Sequence, residues 1–198
     1  GMSEEKYQGV EIGKYVVADP HICHGKPTVR GTRVLVHRVL KRFRRGETLD
    51  EVAAGYKISR EAVIEGLYLA AEALFEKYSV PYPEPPSMEE LLKGDPIRYD
   101  DKYQRVQIGK YTVADPHICH GHPTVRGTRV LVHIVIRTFS SGETIDEVAA
   151  GYKISREAVI EGLSLAAEAL LEKYAVPYPE PLSMEGLLKM DSAHQRVS

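Results

Sequence analysis

The sequence is short of several things, and each shortage excludes something. It has no tryptophan, three phenylalanines and two cysteines in 198 residues. Two cysteines cannot build the disulfide framework of a small secreted scaffold, so they read as reduced thiols, and the expected location is cytoplasmic. No apolar run approaches the ~18–20 residues a membrane span needs, so no membrane partner is expected. No charged-then-apolar leader opens the chain, and Gly1 ahead of Met2 reads as a cloning remnant. There is also no charge excess of either sign: the net charge is -2. That argues against a strongly basic nucleic-acid binder but leaves room for a local basic face.

What the sequence does have is repetition. "ADPHICHGKPTVRGTRVLVH" from Ala18 returns as "ADPHICHGHPTVRGTRVLVH" from Ala114. Ile12 to Asp95 aligns on Ile108 to Asp191 without gaps, with 69 identities and 15 differences. A long period present only twice is not a solenoid. It predicts two complete domains, spanning 8–93 and 106–190, joined by a linker at 94–105. Two such domains on one chain form an intramolecular dimer, expected to pack about a pseudo-two-fold axis. The ~27-residue connection from Tyr78 to Val106 permits the repeats to pair with each other or with those of a second chain, and further homodimerisation stays open.

Within one repeat, Ile12 to Val17 reads as a short strand. Pro27 to Val36, with Val29, Val34 and Val36 around Gly31, reads as a second strand or a hairpin with a glycine turn. Val36, Val39, Leu40 and Phe43 then follow helical spacing up to Gly46. Thr48 with Glu51 three residues on forms a capping box for a second helix, whose buried stripe is Leu49, Val52, Ala53 and Tyr56. Ser59 caps a third helix running from about Arg60 to Lys77. The connection between the second and third helices is too short for anything but a tight turn, and three helices with such a turn describe a helix-turn-helix unit. Lys57 stands where that turn usually has glycine, so it must adopt a left-handed backbone or widen the turn. After the third helix, "VPYPEPPSMEELL" and "VPYPEPLSMEGLL" form two nearly identical proline-rich arms, with a short helix expected from Ser87 to Lys93 in the first. The arms read as partner-binding or domain-bracing segments. The predicted fold class is mainly α: two three-helix domains, each preceded by short β-strands.

The string "DPHICHGKPTVRGTRVLV", followed by an apolar helix, "GETLDEVAAGY" and "ISREAVIEGLYLAAE", resembles the domain-of-unknown-function 433 family. The resemblance covers Tyr15 to Tyr78 and Tyr111 to Tyr174, and is most specific in Cys23 to Val36 and Cys119 to Val132. It implies a homeodomain-like, winged-helix-neighbouring domain and an antitoxin role beside a PIN-like toxin. It supplies no catalytic residues.

Several site readings compete. Asp19, His21, Cys23, His24 and His37 include zinc-ligand types, but Cys23 and His24 are adjacent and no partner pair follows at finger spacing, so no metal is expected. "GKPTVRGTR" lacks P-loop spacing. Arg30 and Arg33 flank Gly31 and can reach a phosphate; alternatively Gly31 makes the turn, Thr32 bonds the backbone, and Arg33 pairs with an acid of the other repeat. The duplicated block therefore reads as framework and interface: Cys23, Gly25, Pro27, Gly31, Thr32 and Arg33, with Cys119, Gly121, Pro123, Gly127, Thr128 and Arg129. No nucleophile-and-base pattern or distinctive carboxylate pair is present, so neither an enzyme nor a cofactor is expected.

The strongest charge feature is Arg38, Lys41, Arg42, Arg44 and Arg45 on the first helix. Lys57, Arg60, Lys153 and Arg156 lie at the helix-turn-helix turns. Together these are the candidate DNA contacts. The third helix itself offers Glu61, Ile64 and Glu65 beside Arg60, a poor groove-reading face. In the second repeat the first-helix cluster becomes Ile134, Arg137, Thr138, Ser140 and Ser141. That change turns Ile134 into a candidate packing or partner residue, or it is drift after duplication. Two functions follow: a DNA-binding antitoxin-like regulator with DNA and a PIN-like toxin as partners, or a protein-interaction module without DNA binding.

Overall fold

The computed structural model describes residues 7–96 and 103–196; of the linker read at 94–105, residues 97–102 lie outside the described residues. Each repeat opens with a three-stranded antiparallel sheet and continues with three helices and a further helix in its arm. The first has β1 (Val10–Glu11), β2 (Val16–Ala18) and β3 (Pro27–Val29), then α1 (Val36–Lys41), α2 (Leu49–Tyr56), α3 (Arg60–Tyr78) and α4 (Met88–Leu92). The second has β4 (Val106–Gln107), β5 (Thr112–Ala114), β6 (Thr124–Val125), α5 (Val132–Thr138), α6 (Ile145–Tyr152), α7 (Arg156–Tyr174) and α8 (Met184–Gln195). The protein is therefore mainly helical, in two repeated halves. No helix among the described residues is long and apolar enough to cross a membrane.

The strand expected over Ile12 to Val17 is instead a turn followed by a strand that begins at Val16. The Glu65 carboxylate on α3 accepts the backbone N–H groups of Lys14, Tyr15 and Val16 at 3.0, 2.9 and 2.9 Å. Those amides therefore point at α3 and not along a ladder. Gly13 makes room for this, since a Cβ there would lie 2.3 Å from the Glu65 Oε1. The hairpin after β3 forms as read. Gly31 is left-handed (φ 75), the Val29 N–H bonds the Val34 carbonyl at 3.0 Å, and the Thr32 hydroxyl donates to the Val29 carbonyl at 2.7 Å.

The helices follow their apolar spacing. Val36, Val39, Leu40 and Phe43 are buried along α1 and the 3-10 turn (Arg42–Arg45) that extends it, up to a left-handed Gly46. Thr48 and Ser59 accept the N3 amides of α2 and α3. Lys57 adopts the left-handed conformation, φ 56 and ψ 42, and its N–H closes α2. The short arm helix α4 has Ser87 and Glu90 as a capping box.

The repeats share one core. A single buried cluster runs through both, with α3 packed on α7, α1 on α7 and α5 on α3. The rings of Phe43 and Phe139 meet at 5.0 Å. Lys77 pairs with Glu172, and Lys173 with Glu76, so this ionic contact recurs in both directions. Some positions that differ between the repeats face one another here. His122 Nδ1 lies 3.0 Å from the Ser79 hydroxyl, and its ring lies 4.1 Å from that of Phe75. The corresponding positions in the other direction are Lys26, Ala175 and Leu171.

Candidate functional site

The basic residues of the first repeat gather because α1 hands over to a 3-10 turn. Arg38, Lys41, Arg42, Arg44 and Arg45, with His37 and Tyr56, line a surface recess of about 320 Å³. They are not equally available. Arg42 forks onto Glu47, Nε to Oε2 at 2.7 Å and Nη2 to Oε1 at 3.1 Å. Its guanidinium also lies 5.1 Å from the Tyr56 ring. The hydrogen bond from Arg42 holds the Glu47 carboxyl below its usual range. Gly55 leaves space for this fork, since a Cβ there would come within 2.8 Å of Arg42 Nη2. Lys41 is 3.7 Å from Glu168 on α7. Among the described residues, Arg38, Arg44 and Arg45 are exposed and have no acidic partner within 4.0 Å. His37 sits half-buried behind them, its Nδ1 without a hydrogen-bond partner. Burial first, then the charges of Lys41, Lys26 and Arg38, push its pKa down to about 4.

On the same surface of the second repeat the hydroxyl groups that replace the basic residues bond within the repeat. Thr138 Oγ1 lies 2.7 Å from the Tyr152 hydroxyl, and Ser140 and Ser141 donate to the carbonyls of Arg137 and Thr138 at 2.6 Å. Arg137 turns onto the other repeat, 5.0 Å from the Tyr68 ring. Ile134 is 37% exposed and does not join the shared core.

The turns between α2 and α3 and between α6 and α7 hold the other candidates. Lys57 and Lys153 are exposed. Arg60 pairs with Asp50 at 3.1 Å and Arg156 with Asp146 at 3.4 Å. Arg156 also donates to the Arg44 carbonyl at 2.9 Å, which brings it to the edge of the basic recess. On α3, Ile64 packs against the core and Glu65 holds the strand turn, so neither faces a groove.

The duplicated block has a geometry the sequence did not announce. Cys23, His24 and Gly25 are consecutively left-handed (φ 48, 55 and 74), as are Cys119, His120 and Gly121 (φ 49, 55 and 75). Such a turn raises the last carbonyl outward, and each repeat's arm bonds it. The Val176 N–H donates to the Gly25 carbonyl at 2.9 Å, and the Val80 N–H to the Gly121 carbonyl at 2.9 Å. Side chains at either glycine would collide, with a Cβ 2.2 Å from the carbonyl oxygen of Val176 or Val80. Tyr178 then covers His24 and Tyr82 covers His120, both with ring centres 4.8 Å apart. The arms are therefore exchanged, each lying on the other repeat's block. The only advance sign was that arm and block are both duplicated almost unchanged.

The other block residues take local roles. Cys23 is half-buried and its thiol faces the Arg33 carbonyl at 3.5 Å; Cys119 faces that of Arg129 at 3.6 Å. Pro27 and Pro123 are buried where the last strand begins, and Thr128 at the Gly127 turn repeats the Thr32 bonding. Arg33 is exposed and has no acidic partner among the described residues, so the expected pair with the other repeat does not form. Arg30 instead pairs with Glu11 at 2.7 Å and donates to the Lys14 carbonyl at 3.2 Å, clamping the strand turn. Arg129, with Cys119, His120, Tyr82 and Glu84, lines a cavity of about 380 Å³ between arm and block.

Residues 16–69 and 113–166 match the family described as a protein of unknown function, DUF433. No curated protein and no solved structure matches the chain. The two matched stretches fall on the two repeats and together exceed half of the chain, so this protein belongs to the DUF433 family as a tandem-duplicated member.

Proposed function

We propose that the protein is a non-catalytic, antitoxin-like DNA-binding regulator of the cytoplasm. It acts as a fused dimer, its homeodomain-like repeats related by a pseudo-two-fold axis, which the reciprocal helix and arm contacts support. The observation that carries the reading is the recess of the first repeat. Three unpaired guanidinium groups, those of Arg38, Arg44 and Arg45, stand open around it, while their equivalents in the second repeat, Ile134, Ser140 and Ser141, carry no charge. Such a face suits phosphate contacts, which position a protein on the duplex without reading bases. A PIN-like toxin would meet the arms at α4 and α8, where Met88, Leu92, Met184 and Leu188 are exposed.

A specific observation favours the second reading, a protein-interaction module without DNA binding. The third helices are occupied with pairing the repeats and, through Glu65 and Glu161, with holding the strand turns.

The test is binding to duplexes from the region upstream of the coding sequence. Three neutralised phosphates predict a slope of about −2.7 in log affinity against log salt, or about a 40-fold loss between roughly 50 and 200 mM. A variant with Arg38, Arg44 and Arg45 changed to serine should bind weakly, with a flat salt dependence. Absence of salt-sensitive binding by the unaltered protein overturns the DNA reading and leaves the interaction module.

A further inference from the structure

The exchanged arms point to a recognition site distinct from the basic recess. The site is the left-handed turn Cys23-His24-Gly25, and its twin Cys119-His120-Gly121. It offers one raised carbonyl, a surface stripped of side chain at the glycine, and an imidazole against which an aromatic ring packs at a tilt. The occupant is an extended segment, Val-Pro-Tyr-Pro-Glu-Pro, which stands at 80–85 and again at 176–181. The valine supplies the N–H, the proline after it keeps the segment extended, and the tyrosine covers the histidine. This is the form of proline-rich peptide recognition, in which a stiff extended chain loses little entropy on docking.

We propose that these turns are exchangeable peptide sites, which take the Val-Pro-Tyr-Pro-Glu-Pro arm of a second copy of this chain as well as that of their own. Both arms carry the same Val-Pro-Tyr-Pro-Glu-Pro segment and both turns the same Cys-His-Gly, so that segment of either arm fits either turn. The docking of Val176 on Gly25 shows one backbone hydrogen bond and one ring contact, and Tyr178 remains 41% exposed; that of Val80 on Gly121 is reinforced by Ser79 and Phe75 against His122. What keeps the arm on its own chain is the effective concentration that tethering provides. When that advantage is matched by another chain, the arms link molecules.

The test uses the full chain with the arm loosened by Val176→Pro. This change removes the single N–H donor and leaves the shared core untouched, which an unchanged thermal melt verifies. A labelled peptide of sequence Ala175–Leu182 is titrated against both proteins. The variant should bind it about tenfold tighter than the unaltered chain, whose own arm competes. Adding Gly25→Ala to the variant should abolish binding, as should placing proline at the valine of the peptide. With differently labelled populations of the unaltered chain, energy transfer should appear on concentrated incubation and be suppressed by excess peptide. The proposal is overturned if the peptide binds neither protein, binds both equally, or binds the variant with and without Gly25→Ala alike. It is also overturned if concentrated incubation yields no energy transfer.

Discussion

Replacing Glu65 by alanine separates a structural third helix from a reading one. Its carboxylate takes three backbone N–H groups, those of Lys14, Tyr15 and Val16, at 2.9–3.0 Å. Hydrogen bonds to a charged acceptor contribute about 1.5–3 kcal/mol each when their donors are otherwise stranded. The Lys14 amide is exposed and water replaces its partner, so its loss contributes little. The Tyr15 and Val16 amides are part-buried, and Val16 is fully buried in the core. The expected cost is therefore about 2–4 kcal/mol, shared between those two. For a chain of this size that lowers Tm by roughly 5–12 °C. Glu61→Ala, one turn away on the exposed face, should stay within about 0.5 kcal/mol of the unaltered protein. The assay is thermal unfolding followed by circular dichroism, alongside duplex binding. If Glu65→Ala leaves Tm unchanged while strengthening duplex binding, Glu65 is a repulsive charge on a DNA-facing helix, and the structural account of α3 fails.

Two further outcomes are expected. Lys57→Gly and Lys153→Gly each relieve a left-handed non-glycine backbone and should stabilise by about 1 kcal/mol, additively because the turns lie in different repeats; unchanged or lowered Tm refutes this. His37 and His133 are both pushed down to about 4, mainly by burial. Their folded pKa lies below the unfolded value near 6.5, so the unfolded chain binds more protons as the pH falls. Stability should then be lost between about pH 6.5 and 4, by roughly 1 kcal/mol per histidine once their partial exposure is discounted. A pH titration of Tm for the protein and its His37→Gln, His133→Gln variant checks this: the variant should show a flatter curve.

The local elements were legible because their causes are local. The stripe Val36, Val39, Leu40, Phe43 needs only helical spacing, and the caps at Thr48 and Ser59 need only a hydroxyl ahead of an amide. At Lys57 the sequence left a left-handed backbone or a wider turn, and the structure takes the first. The duplication, and the contrast between the two first-helix faces, were equally plain from the letters. Which of the basic residues remain free was not. Arg42 has Glu47 five residues on, a partner the sequence contains but does not select, whereas Lys41 and Arg156 meet residues about a hundred positions or more away.

By itself the sequence determined the repeat, the helices, their caps and turns, and membership of a family. These depend on residues within a few positions of each other, where backbone sterics and hydrogen-bond geometry leave few solutions. The tertiary structure alone decided that Glu65 bends the expected strand, that the two repeats share a single core, and that each arm crosses to the other repeat's Cys-His-Gly turn. Those outcomes depend on which surfaces are brought together across the chain. The sequence contains both members of each such pair, but only packing selects them, by excluding water and leaving each buried amide one acceptor within reach.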